Sequence, residues 1–520
     1  MSNLLSRRRF LTVMGGAASG LVAGGVLPTL LTRSSTRPWD ALLPWSTIDA
    51  WAADAKTRFP IGAATATRVL QAASARGAGF ADLYLETRVV TRVNLADGAI
   101  QSVEQGVFAG CGVRAVDGER TGYAYVDSFE EEPLLTAAAD AAAIASGAGP
   151  RRVAAVIAAP IFASPIVRFT RSLDDVADDE RVAWMMAADQ AARAHDPAIA
   201  QVTIDYSDEM QHFAVIDSHG GWIEDTLPLV LMRVDVVAQR GDLRGTGATR
   251  LSFRQGAEQM AGDAPAAFGR EAARQAVAML EAEASPAGEM PVVLAAGGGV
   301  LFHEAVVHGL EGDAILRKTS TYADRIGETV GSEKVSILDT GAMPDLRGSY
   351  NVDDEGIVPR RNLLIEKGVL RGYLTDRITA EGLKLPRTGN ARRQSYRFPP
   401  MVRMSNTFLD NGADDPDAIL RETPNGIFAR NLGDGQVDPA TGNFTFGLRE
   451  AYRIENGKLG RPVRGANLVG NGPEILKRVD RVAGDLKFWN GTCGRGQWVP
   501  VTAGAPTLRI SSMTVGGSGS

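Results

Sequence analysis

The period of the apolar positions changes several times along the chain. The stretch "ADLYLETRVVTRVNLADGAIQSVEQG" (81–106) alternates apolar and polar residues, which predicts strands around an Asp97-Gly98 turn. "CGVRAVDGERTGYAYV" (111–126) repeats that pattern and predicts a hairpin at Asp117-Gly118. The helical period appears over about 65–76, in "EEEPLLTAAADAAAIASG" (130–147), and in "DDVADDERVAWMMAADQAARAH" (174–195), whose first turns are acidic. Between 200 and 241 the alternation predicts an antiparallel meander with "SHGG" as a turn, and "FGREAARQAVAMLEAEA" (268–284) predicts a further helix.

The pattern shifts near Glu289. "MPVVLAA" reads as a short buried strand, "GGG" as a breaker and "VLFHEAVVHGL" (300–310) as a helix. The remainder of the chain is rich in strands and turns, with hairpins expected at Lys367-Gly368 and Asn456-Gly457. The expected fold class is α+β: helix-covered antiparallel N-terminal units followed by a β-rich C-terminal domain. The expected domains are a leader over 1–45, an N-terminal α+β domain over 46–287, and a C-terminal domain over 288–515. The N-terminal domain divides into units of about 63–146 and 165–287, joined by an Ala/Pro/Gly-rich linker.

"SRRRFL" places Arg7, Arg8 and Arg9 ahead of a Gly/Ala-rich apolar run with no further charge until Arg33. That is the form of a twin-arginine signal, read by an export machinery that carries folded proteins. It implies an exported, periplasmic protein, tethered to the membrane if the signal is left uncleaved. The run is long enough to span a bilayer, but its glycines and Pro28 make it a poor anchor. The whole chain of 520 residues has a net charge of −6 and no basic block, which argues against a nucleic-acid partner. Two cysteines, Cys111 and Cys493, rule out a disulfide framework.

Five histidines occur in the chain, and two of them, His303 and His308, share the window "HEAVVH". Zinc takes neutral imidazole, thiolate or carboxylate, and a carboxylate beside the metal can serve as a base. His303 and His308 are thus candidate ligands and Glu304 a candidate base. In a regular helix, positions i and i+4 lie about 40° apart and i and i+5 about 140° apart. The spacing therefore requires a distorted helix, through a π-bulge or through a helix end near Val307 with Gly309 turning the chain. The alternative is two ordinary histidines, one buried and one at a helix end. Cys493, among glycines in "GTCGRGQWVPV", is the candidate third ligand, its alternative being a small buried hydrophobe. Cys111 fits a strand core. Glu311 and Asp313 are candidates for orienting an imidazole or for solvated charges. Arg392, Arg393 and Arg403 are candidate contacts for substrate or oxyanion, each with a structural ion pair as its ordinary reading. No G-x-S-x-G elbow is present, and no Gly-Lys-Ser/Thr follows "AAGGGV", which sets aside a serine hydrolase and a P-loop.

These stretches together resemble the TldD/PmbA (modulator of DNA gyrase) family of metallopeptidases. "HEAVVHGLEGD" is similar to that family's metal-binding helix and "GTCGRGQWVPVTAGAPTLRI" to its C-terminal cysteine block. "VDDEGIVPRRNLLIEKGVLRGYLTDR" and "TGNARRQSYRFPPMVRMSNTFL" are similar to other family stretches. The resemblance covers roughly residues 63–510. It implies a TldD-type member, a zinc metallopeptidase that cuts unfolded or flexible peptides. In that reading His303, His308 and Cys493 hold zinc and Glu304 is the base. It also implies a dimer, either with itself or with a PmbA-type subunit that lacks the motif. Two alternatives remain: a non-catalytic peptide-binding subunit of such a complex, and a zinc amidase on another substrate. The export signal departs from the cytoplasmic members of the family and leaves substrate and partner open.

Overall fold

The computed structural model describes residues 58–145, 153–157, 160–162, 165–438 and 440–517. The expected leader and most of the expected linker lie outside these residues. The fold is α+β, as the alternation predicts.

The two N-terminal units share one seven-stranded sheet. Its long strands are Phe80–Ala96, Ala99–Asp117, Ile199–Asp217 and Trp222–Arg240, with Arg120–Val126 and Leu243–Phe253 outside them. Phe80–Ala96 pairs with Ile199–Asp217 from Asp82↔Asp217 through Ala96↔Thr203, which makes the two units continuous. Alternation marks which face a residue occupies and not which strand lies beside it, so this union was not expected. The Asp97-Gly98, Lys367-Gly368 and Asn456-Gly457 turns formed at their dipeptides, whereas the one expected at Asp117-Gly118 lies a residue later, at Gly118-Glu119, because Asp117 still pairs with Arg120. Asp97 and Gly98 have φ of 48° and 75°, Lys367 and Gly368 46° and 79°, Asn456 and Gly457 52° and 72°. Two successive positive φ values are what a two-residue hairpin with the native strand twist needs.

One face of the sheet is covered by helices. Leu83, Leu85, Cys111, Val113 and Ile216 pack with the helices Ala63–Ala73 and Glu131–Ile144. Further along, Ile204, Tyr206, Met232 and Val234 lie in one core with residues of the helices Asp178–Arg193 and Ala264–Ala278. The last helix stops earlier than its apolar pattern, because Met279–Glu281 tighten into a 3-10 turn before a short strand.

The other face of the sheet carries the C-terminal region. Tyr84, Phe213 and Val215 share a buried cluster with Tyr350, Val352 and Tyr396. In that region the strands Gly288–Leu294, Leu508–Gly516, Asn467–Asn471, Asn443–Glu455 and Asn425–Val437 pair in a closed ring. A six-stranded sheet lies beside it and ends in the ribbon of Trp498–Ala505 and Lys487–Gly494. Residues of both belong to one large core.

A buried ion network ties the sheet to the C-terminal region. Arg114 is fully buried, hydrogen-bonds Asp82 through Nε at 3.1 Å and stands 2.8 Å from Glu355. Removing one member of a buried pair strands the others, at a cost of about 3–5 kcal/mol. Arg114→Leu is expected to destabilise by that order in urea unfolding followed by tryptophan fluorescence. A loss under about 1 kcal/mol, the range of an exposed pair, would show that the network contributes little.

Candidate metal centre

The centre is built on a short helix held by glycines. Gly297, at φ 101°, donates its N–H to the Ala505 carbonyl at 2.8 Å. A Cβ on Gly299 would stand 2.2 Å from the Gly504 carbonyl oxygen, so only glycine lets the helix start against the ribbon. The helix Val300–Ala305 is buried at every residue. It ends at Val306, where φ is −121° and ψ −57°, and a 3-10 turn follows over Val307–Leu310. The required distortion is therefore present as a helix end and not as a π-bulge. The break lies at Val306 and not at Gly309. Gly309 contributes space: a Cβ there would meet the Tyr322 ring at 2.9 Å.

This bend brings four side chains together. Ligand atoms of His303, Glu304, His308 and Cys493 all lie within 4.8 Å of one another, and all four residues are buried. Cys493 Sγ is 3.2 Å from His308 Nε2, and Glu304 Oε2 is 3.4 Å from the same nitrogen. Glu304 Oε1 is 3.7 Å from His303 Nε2. Neither ring nitrogen of His303 has a hydrogen-bond partner, nor does Glu304 Oε1. Unpaired polar atoms in a dry interior are costly. Two imidazoles, a thiol and a carboxylate converging on one point form the donor set of a zinc site.

The charges around the cluster favour a cation at its centre. Burial opposes the Cys493 thiolate, yet the His308 ring and the Arg403 guanidinium outweigh it and bring the thiol down to about 6. Burial likewise opposes charge on Glu311, but His308 and Arg495 hold its carboxyl down at about 2. Glu304 is lowered against its burial by the two histidines. For His308, burial is outweighed by Cys493 and Glu311, and its pKa stands well above the ordinary value. A metal ion would displace that proton, because imidazole must be neutral to ligate.

A surrounding shell fixes the cluster. His308 Nδ1 is 2.9 Å from Glu311 Oε2, which sets which nitrogen turns inward. Arg495 donates to both Glu311 and Asp313, so these two carboxylates are anchored and not solvated. Arg403, fully buried, donates to the carbonyls of Cys493 and Gln497 at 2.8 and 2.7 Å and stands 3.7 Å from Glu311. Arg392 donates to the carbonyls of Met404 and Pro500, and Arg393 lies 4.0 Å from the centroid of the Tyr84 ring. Neither belongs to the four-residue cluster. Cys111 lies in the helix-covered core of the N-terminal sheet. Sequence reasoning missed Arg495; its signal was its place two residues after Cys493, in the same glycine-rich turn.

Comparisons with known proteins agree with this architecture. Family models match at residues 81–145 (PmbA/TldA metallopeptidase domain 1), 171–280 (central domain) and 287–517 (C-terminal domain). The Metalloprotease TldD homolog of Haemophilus influenzae is 37% identical over 87% of this chain and 96% of its own. The Zinc metalloprotease TldD homolog of Saccharolobus solfataricus is 27% identical over 86% of this chain and 99% of its own. The crystal structure of TldE from Thermococcus kodakarensis matches with a TM-score of 0.67 at 20% identity, covering 84% of this chain and 97% of that one. The chain belongs to the PmbA/TldD metallopeptidase family.

The fit around the bend is tight. Gly309→Ala forces its methyl into the Tyr322 ring, an overpacking that costs about 1–3 kcal/mol. The denaturation midpoint is expected to fall accordingly, while Gly327→Ala, at a glycine with open space around it and φ 93°, reports strain alone. Equal behaviour of Gly309→Ala and wild type would mean that the bend adjusts freely.

Proposed function

We propose that this chain is a zinc-dependent metallopeptidase that cleaves flexible or unfolded peptides. His303, His308 and Cys493 would hold the metal and Glu304 would carry the proton. The observation behind the reading is the buried convergence of these four groups, with the ring nitrogens of His303 and Glu304 Oε1 left without hydrogen-bond partners. The names of the relatives, metalloprotease and zinc metalloprotease, support it.

Zinc, when bound, acidifies a water molecule and polarises a carbonyl. The rest is the work of the chain. Glu304 is held as a carboxylate by the histidines, so it can accept a proton from the attacking water and return it to the leaving amine. Glu311 holds His308 Nδ1 and so directs Nε2 to the centre. Arg403 fixes the backbone of Cys493 and favours its thiolate. The reading extends to export by the twin-arginine route, which would place the substrate in the periplasm, and to a dimer with itself or a PmbA-type subunit.

Metal analysis of the purified protein tests the ligands. Wild type is expected to carry about one zinc per chain, and Cys493→Ser and His308→Ala to lose it. Glu304→Gln is expected to keep its zinc and to lose peptide cleavage by about 100-fold or more. Full zinc in the ligand variants would refute the ligand set. Undiminished cleavage by Glu304→Gln would refute the base and leave the ligands standing.

A further inference from the structure

The ribbon that carries Cys493 has two faces. Cys493 pairs with Val499 across the ribbon, and its neighbours pair as Thr492↔Pro500 and Gly494↔Trp498. Side chains alternate along a strand, so Trp498 and Pro500 point away from the face that Cys493 occupies. There they line a cleft between the C-terminal region and the N-terminal sheet, with Arg88, Glu209, Arg254 and Arg392 among its other walls.

The charges in this cleft do not balance. Arg254 is 3% exposed, its Nε has no partner, and its guanidinium makes one long hydrogen bond, to the Pro228 carbonyl at 3.5 Å. Arg392 is also buried and its guanidinium hydrogen-bonds only carbonyl oxygens. Arg347, close behind, is bound to the Gly491 carbonyl and to the hydroxyls of Ser252 and Thr492. None of these three arginines has a carboxylate within ion-pair distance among the described residues. The acids nearby are already engaged. Glu209 pairs with Arg88 at 3.4 Å, and Arg88 pairs with Glu86 as well, at 2.5 Å. Asp354 accepts from Tyr84 and from the Arg393 backbone N–H, and Asp353 accepts three backbone N–H groups at 2.8–3.0 Å. Burial, with neighbouring arginines and against the pull of Glu209, brings Arg254 down to about 10 and Arg347 to about 9, so both still carry charge at neutral pH. Two guanidiniums without an ion pair, Arg254 and Arg392, on one concavity form the complement of a planar or tetrahedral oxyanion.

We propose that this cleft is an oxyanion site, separate from the metal centre, in which Arg254 and Arg392 bind a phosphate or carboxylate group. The bound anion bridges the N-terminal sheet, through Arg254 just past the strand Leu243–Phe253, to the back of the Cys493 ribbon, through Arg392. Its source is either a free inorganic oxyanion or the carboxylate end of a peptide. Neither requires zinc.

The test is calorimetric titration of the full chain with inorganic phosphate against chloride at matched ionic strength, supported by thermal unfolding. Wild type is expected to bind about one phosphate per chain and to melt higher when it is bound. Arg254→Leu removes an unpaired buried charge. Its phosphate affinity is expected to fall about tenfold or more, one lost charge-assisted contact, while its melting point in phosphate-free buffer holds or rises. Gln394→Glu places an acid in the cleft and keeps the oxygen that accepts the Trp498 N–H at 2.9 Å. It is expected to abolish phosphate binding even if Arg254→Leu does not fold. A short peptide with a free carboxylate, compared with its amide in a Glu304→Gln background, identifies the source: competition with phosphate by the acid alone assigns a peptide end, and none by either assigns a free ion. No binding of phosphate or peptide acid by wild type, or binding unchanged in both variants (an adventitious ion only), overturns the proposal.

Discussion

The candidate centre depends on one bend, the departure from helical geometry at Val306. With residues advancing by about 100° each, His303 and His308 on an unbroken helix would face nearly opposite ways. The bend carries His308 Nε2 to within 3.2 Å of a thiol on a different sheet. It can exist because the segment is held from both sides. Gly299 presses on the backbone of Gly504 before it, and Gly309 lies against Tyr322 after it. Packing that leaves no room at either end fixes a backbone conformation that propensity alone would not choose.

Such a centre sets an electrostatic problem for its surroundings. Four groups with lone pairs or charge are removed from water, and each needs compensation. Arg403 and Arg495 provide part of it. They do so from the connection between the strands Met401–Val402 and Asn406–Leu409 and from the turn of the ribbon, and not from the helix itself. Each contacts both the carboxylates behind His308 and the backbone around Cys493, or is part of that backbone. The cluster is thereby welded to its second sheet by ionic contacts as well as by packing.

Much of this was legible from local pattern. The dipeptides Asp-Gly, Lys-Gly and Asn-Gly named their own hairpins, because two positive φ values in succession are costly for most residue pairs. The HExxxH spacing named a distorted helix, because an i,i+5 pair cannot meet on a regular one. What stayed hidden was long-range. Nothing in the alternation of residues 80–96 says that residues 199–217 pair beside them. Nothing about Arg403 as a single residue separates a substrate contact from a carbonyl-bound pin. Arg254 gave no signal at all, since its meaning lies in the carboxylates that are not beside it.

The same ribbon must satisfy two surroundings of opposite demand. Its inner face, with Cys493 and Val499, belongs to the large apolar core and presents one thiol to the histidines. Its outer face, with Trp498 and Pro500, looks onto a cleft in which Arg254 and Arg392 have no ion-pair partner among the described residues. Because the two faces share one backbone, with Arg392 bonded to the Pro500 carbonyl and Arg403 to that of Cys493, a shift of the ribbon on one side is felt on the other. Coupling of this kind needs no further device than the stiffness of a paired strand. It places the stability of the Cys493 turn partly in the hands of whatever balances charge behind it.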